Sequence, residues 1–267
     1  MKRFIKFFGV FVLLILSSCK SVKQFIKLND SFSSLEKAME KPEDVRVLRL
    51  NRMGYEEIPE EVFSFTNLEE LYLFKNKIEV VPADISKLKK LKILVLSRNK
   101  LREIAPEIGQ LDSLGDLSLH YNQLEALPEE IGNLSELDRL SLQKNNLRSL
   151  PKSIGNLKKL RFLRLDFNQM NELPVEMGDM EQMTFLSIGK NNLRYLPDEL
   201  SKLSMLRELN LYGAGAQLWI PSSYMNLQNL EIIYIDPNVT VPDPMYVRRK
   251  EFFVVGIPDW KRNMLWF

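Results

Sequence analysis

Six asparagines, Asn76, Asn99, Asn122, Asn145, Asn168 and Asn191, stand 23 residues apart in a chain of 267. A side-chain amide both donates and accepts hydrogen bonds. A file of them in register is therefore the material of a polar track or of a buried hydrogen-bond ladder. The residue just before this position is mostly basic or aromatic: Arg52, Lys75, Arg98, Tyr121, Lys144, Phe167 and Lys190. Catalytic material is thin. His120 is the only histidine and Cys19 the only cysteine, so zinc sites and histidine-paired nucleophiles have little to build on. No G-x-x-x-x-G-K-[ST] loop and no H-E-x-x-H occurs. Carboxylates are plentiful but fall largely in variable surface slots. The pattern points away from an enzyme, and no cofactor or metal is expected.

The asparagines belong to a longer string. From Leu68 it reads Leu-x-x-Leu71-x-Leu73-x-x-Asn76-x-Ile78-x-x-Val81-Pro82-x-x-Ile85-x-x-Leu88, and it restarts at Leu91, Leu114, Leu137, Leu160 and Met183. The first unit, 45–67, has Met53 at the asparagine position. The unit 206–229 has Ala214 there, with one extra residue before Pro221, and a partial ninth unit returns Leu230, Ile233, Ile235 and Asn238. Leu71 and Leu73 alternate with Tyr72, so a strand sends the leucines to one face and Tyr72 to the other. Stacked units then make a parallel sheet. The asparagines follow the strands and can satisfy backbone groups where the chain turns, buried. Pro82, Pro128, Pro151, Pro174 and Pro197 lack an N–H and fix φ, which suits a short turn or helix start on the opposite side. Pairs such as Ile85/Leu88 and Ile131/Leu134 close the core from there.

A unit of this length with an L-x-x-L-x-L-x-x-N core resembles the leucine-rich repeat family. The string Leu127-Pro128-Glu129-Glu130-Ile131-Gly132-Asn133-Leu134 is similar to bacterial members with 23-residue units. The resemblance spans about residues 31–242. It implies an α/β solenoid: a curved array with a parallel concave sheet, an irregular or short-helical convex side, and the asparagines as a buried structural ladder. It implies a scaffold for recognition without naming the partner.

The ends need covers, because a terminal repeat otherwise exposes its apolar edge. Ser33-x-x-Glu36 fits a capping box, Leu35, Ala38 and Met39 share a helical face, and Pro42 ends the turn. The sequence thus predicts an amphipathic helix over 31–41 within a cap segment 31–44. Repeats follow over 45–242. The segment 243–267 drops the period and is rich in aromatics, including Tyr246, Phe252, Phe253, Trp260, Trp266 and Phe267. It reads as a C-terminal cap, or as a tail that also binds.

Strand residues between the leucines face the concave surface and are free of core duty. Tyr72 and Phe74, beside Ile93, Val95 and Ser97, form an expected exposed apolar patch of the kind that marks binding sites. The middle units are polar there (Asp116, Ser118, His120, Arg139, Ser141, Gln143). Phe162 and Phe185 form a second apolar spot, with Arg164 and Asp166 near. Aromatic anchors with a basic rim match protein-binding hot spots. The expected partner-binding residues are Tyr72, Phe74, Ile93, Val95, Arg98, His120, Tyr121, Lys144, Phe162, Arg164, Phe185 and Tyr212. His120 reads as a variable surface residue rather than a proton switch. The bland alternative is that the aromatics simply favour strand formation. A glycan or envelope polymer stacking on Tyr72, Phe74, Tyr212 and Tyr234 is the alternative partner class.

The first residues carry an address. Lys2, Arg3 and Lys6 precede an apolar run from Phe7 to Leu16, and Leu16-Ser17-Ser18-Cys19 follows. This has the grammar of a secretory signal, is far short of the roughly 20 apolar residues that span a membrane, and resembles the lipobox of bacterial lipoproteins. The resemblance implies a signal peptide over 1–18, lipid on Cys19, and a lipidated N-terminus and tether over 19–30. Location in the bacterial cell envelope follows, with the outer membrane or cell surface favoured over the inner membrane because Lys20 is not aspartate. If the signal is not used, the alternative is a cytoplasmic signalling adaptor. The chain has 37 basic and 35 acidic residues, and the signal holds three of the basic ones. The remainder is nearly neutral, which argues against nucleic acid as partner.

Overall fold

The computed structural model describes residues 31–236, 239 and 253–255. Cys19, the signal and tether, Asn238 and most of the aromatic C-terminal segment lie outside the described residues. The strands are β1 (Ser31–Phe32), β2 (Val47–Arg49), β3 (Glu70–Tyr72), β4 (Val80–Val81), β5 (Ile93–Val95), β6 (Glu103–Ile104) and β7 (Asp116–Ser118). They continue as β8 (Arg139–Ser141), β9 (Phe162–Arg164), β10 (Phe185–Ser187), β11 (Glu208–Asn210), β12 (Ile232–Tyr234) and β13 (Phe253–Val255). Eleven of them form one parallel sheet in chain order, while β4 and β6 pair separately.

Register follows the repeat. Arg49, Tyr72 and Val95 pair across β2, β3 and β5, and Phe162 pairs with Phe185 across β9 and β10. The structure is thus an α/β solenoid of the expected kind. The leucine positions (Leu71, Leu73, Leu94, Leu96 and their equivalents) are fully buried in one continuous core. Opposite the sheet, each proline column residue leads into a single 3₁₀ turn, such as Glu129–Asn133 after Pro128 and Lys152–Asn156 after Pro151. Pro128 and Pro151 sit at φ −66° and −65°, the angle their ring imposes, so the turn entry is set covalently.

These turns pack closely. A Cβ at Gly109, Gly132, Gly155 or Gly178 would lie 2.3–2.4 Å from a carbonyl oxygen of the next unit. Only glycine allows that approach.

The N-terminal cap differs from its expectation. The α-helix, α1, is only Leu35–Met39, with Ser34 rather than Ser33 as N-cap: the Lys37 N–H donates to its Oγ at 3.4 Å. Ser31–Phe32 instead pairs with Val47–Leu48 as an extra strand. A five-residue helix is marginal on its own, whereas the open edge of β2 offers backbone partners. Ala38 is buried and Leu35 packs partly on the core, but Met39 points to solvent. At the other end, β13 adds a strand from within the aperiodic segment, Phe253–Val255 pairing with Ile232–Tyr234.

Candidate binding face

The asparagines do structural work. The Asn145 Nδ2 donates to the Leu119 and Leu142 carbonyls at 3.1 and 2.9 Å, and its Oδ1 accepts from the Leu124 N–H at 3.1 Å. Asn76, Asn99, Asn122, Asn168 and Asn191 donate to equivalent pairs of carbonyls. Each amide thus ties its own unit to the preceding one.

The residue before each ladder position is left-handed. Arg52, Lys75, Arg98, Tyr121, Lys144, Phe167 and Lys190 have φ between 54° and 61°. Their N–H groups donate to the following unit, as in Arg98 to the His120 carbonyl at 2.9 Å and Lys144 to the Asp166 carbonyl at 2.8 Å. This conformation costs a non-glycine residue roughly 1–2 kcal/mol. In the unit with Ala214 at the asparagine position, Gly213 takes the left-handed place at φ 68°. The side chains stand on the rim of the concave face as an interleaved row. The Arg98 guanidinium lies 5.9 Å from the Phe74 ring and 4.6 Å from the Tyr121 ring. The Lys144 ammonium lies 4.2 Å from Tyr121, to whose hydroxyl it donates, and 5.1 Å from Phe167.

Inside the rim, Tyr72, Ile93, Val95 and Phe74 gather as expected, but half-buried. Arg49 covers Tyr72 at 4.9 Å, and the Tyr72 hydroxyl donates to Glu70 at 2.9 Å. Phe162 and Phe185 lie 6.3 Å apart, with Arg164 at 5.4 Å over Phe185. His120 is half-buried and within 2.9 Å of the Ser118 hydroxyl. Burial, then the charges of Arg98, Arg164 and Lys144, hold its pKa down at about 4, so the ring is neutral at pH 7.

Two expectations fail here. Ser97 is 1% exposed and bonds to Ser118, so it is not presented. Tyr212 is 7% exposed, with Lys190 at 4.6 Å over its ring. Its place in the row is at the strand exit, where rim side chains fold across. It therefore offers neither a protein-binding surface nor a sugar-stacking one.

The residues beside it form a network that the sequence pattern did not single out. Asp166, 2% exposed, accepts from the Ser187 hydroxyl at 2.5 Å and the Gly189 N–H at 3.0 Å, and Asn210 donates to Ser187 at 2.9 Å. Burial pushes the Asp166 carboxyl up to about 6, against these bonds. The network floors a concave cavity of about 250 Å³, walled by Gln143, Lys144, Arg164, Phe185 and Tyr234. Gly189, the smallest residue in its column, was the available sign that something polar lay beneath. The most exposed apolar side chains sit elsewhere: Trp219 at 59% and Tyr195 at 51%, both two residues before the proline column. Among the described residues no group of three or more His, Cys, Asp or Glu could hold a metal, and no helix is long and apolar enough to cross a membrane.

Residues 107–193 match a family model described as a leucine-rich repeat region, and 43–101 and 66–124 match a leucine rich repeat model. No curated protein matches the sequence. Many solved structures are similar, among them the following three. A leucine-rich repeat protein of Leptospira interrogans is 25% identical, with 79% of this chain and 77% of that one covered and a TM-score of 0.52. The ectodomain of the Arabidopsis thaliana receptor kinase GASSHO1/SCHENGEN3, in complex with Casparian strip integrity factor 2, is 32% identical over 73% of this chain, TM-score 0.62. The PEPR1–AtPEP1 complex is 26% identical over 80% of this chain, TM-score 0.65. The match covers only 23% and 31% of those last two chains.

Proposed function

Because the chain carries leucine-rich repeats and folds as their solenoid, we propose that it is a recognition scaffold that holds another protein against its concave face. The observation that carries this reading is the concave row of rings overlaid by cations, from Arg49 on Tyr72 to Arg164 on Phe185. The core needs none of these side chains. Rings with arginine are the composition of interface hot spots. The GASSHO1/SCHENGEN3 ectodomain and PEPR1–AtPEP1 structures, both of complexes, support a binding role for this kind of fold.

The scaffold is a bacterial envelope lipoprotein, anchored by lipid on Cys19. Support comes from the order of Lys2, Arg3, Lys6, the apolar run and Ser17-Ser18-Cys19. Several acyl chains on one residue anchor firmly, at about 0.8 kcal/mol per buried methylene.

Two measurements test these statements. Tyr72→Ala with Phe74→Ala should weaken capture of envelope proteins while leaving the melting curve in place. Unchanged capture with a lowered melt would make the rings structural instead. Intact mass and membrane partition of the full chain and its Cys19→Ala variant test the anchor. A lipid mass on a form starting at Cys19, lost in the variant, supports it, and an uncleaved soluble product refutes it.

A further inference from the structure

The left-handed rim holds five cations, Arg52, Lys75, Arg98, Lys144 and Lys190, among two rings, Tyr121 and Phe167. The backbone accounts for the φ of this column but not for its side chains. The inter-unit bonds from these N–H groups would form equally with glycine or asparagine, which tolerate the left-handed region better. The sequence places long cations there instead.

A second column, just before the strands, mixes cations with carboxylates and shows what neutralised charge looks like in this molecule. Arg46 and Lys92 both meet Glu69, Arg161 meets Asp138, and Arg207 meets Glu231. Among the described residues, no carboxylate pairs with any of the five rim cations. The concave carboxylates face other groups: Glu70 meets Arg49 and Tyr72, Asp166 meets Ser187 and Gly189, Glu208 meets Tyr234, and Asp116 faces Arg139. In a chain this close to neutral, the rim is a local excess of positive charge. Rings lie beside four of these cations, Arg52, Arg98, Lys144 and Lys190, at 4.6 Å for Arg98 on Tyr121 and 4.2 Å for Lys144 on the same ring. Less side-chain freedom is then lost when a partner arrives.

On the reading that the concave face binds protein, we infer that this rim is the docking strip for an acidic segment of the partner. Neighbouring strands lie about 4.8 Å apart. Arg52, Lys75 and Arg98 thus present charge at roughly 5 Å steps, a spacing suited to clustered carboxylates. Beyond Arg98, cations come at roughly 10 Å steps with a ring between, suited to acid alternating with apolar side chains. That alternation favours polypeptide over an anionic polysaccharide, which offers charge without apolar groups. A strip inside a concave rim also cannot lie flat on a bilayer.

The test uses the purified full-length protein and a labelled peptide of alternating Glu and Phe, read by fluorescence anisotropy. A Lys/Phe peptide, heparin and phosphatidylglycerol vesicles serve as the other probes. The Glu/Phe peptide should bind, and more weakly as salt rises. Lys75→Glu with Arg98→Glu should weaken it on the order of tenfold, since each exposed charge contact is individually small, and should turn preference toward the Lys/Phe peptide. Lys92→Glu with Arg161→Glu, in the neutralised column, should leave it unchanged. Equal weakening by both pairs, no preference for the acidic peptide, or binding of only heparin or vesicles overturns the inference. Capture of a partner that Tyr72→Ala/Phe74→Ala abolishes, but the rim reversal leaves intact, overturns the rim while the concave reading stands.

Discussion

Asn145→Ala is the sharpest probe of what holds consecutive units together. The change deletes three hydrogen bonds: two given by Nδ2 to the Leu119 and Leu142 carbonyls and one accepted from the Leu124 N–H. The losses are unequal. The Leu119 carbonyl still accepts from Asn122 at 2.8 Å, and that of Leu142 still accepts from Asn168 at 3.0 Å. Those two bonds are worth about 0.5–1 kcal/mol each. The Leu124 N–H keeps no such second partner and sits in the core, where an orphaned donor costs about 1–3 kcal/mol. The sum is about 3 kcal/mol, a fall in Tm of about 6–12 °C for an array of this size. Melting followed by circular dichroism measures it. Because the ladder links units in series, the transition should also broaden or split as the array divides at the altered unit. A Tm within about 2 °C of wild type would refute the accounting, since it would mean that water replaces the amide at no cost.

Three further outcomes are expected. Gly155→Ala places a Cβ 2.3 Å from the Glu176 carbonyl oxygen, so it should destabilise by about 1–3 kcal/mol in denaturant unfolding, while Ser86→Ala, in the same column nearer the N-terminus, should be close to neutral. Burial raises the Asp166 carboxyl from 3.8 to about 6. The folded protein therefore holds a proton that the unfolded chain has released, and stability falls as pH rises through that window. Melts of Asp166→Asn across the same pH range should lack that fall, and an unchanged slope would disprove it. His120 should titrate near pH 4 by NMR, and a midpoint near 6.5 would show that burial and its basic neighbours do not govern it.

Much of the fold was legible because each unit repeats the same physical problem. Leu71 and Leu73 with Tyr72 between them state a strand, and Asn76 states how its exit is satisfied. The left-handed residues were not legible. Lys75, Arg98 and Phe167 carry no intrinsic preference for positive φ; the conformation comes from bonds between units, such as Arg98 N–H to the His120 carbonyl. For the same reason the sequence does not distinguish presented from covered residues in the row from Phe74 to Tyr212. Its burial depends on whether a neighbouring rim side chain folds across it, as Lys190 does over Tyr212. At the N-terminus, Ser33 and Glu36 state a helix start correctly in kind and one residue off in place. The strand before it could not be read from Ser31–Phe32, because its cause is the edge of β2.

The left-handed column sets stability against use. Replacing Lys75 or Arg98 with glycine would relieve a conformational cost of roughly 1 kcal/mol, yet it would also delete a rim charge. Selection for heat resistance alone should therefore drift these positions toward glycine and blunt the rim. Selection for partner capture should hold the cations and accept a softer array. A stabilised descendant of this protein would thus be recognisable by what it no longer binds.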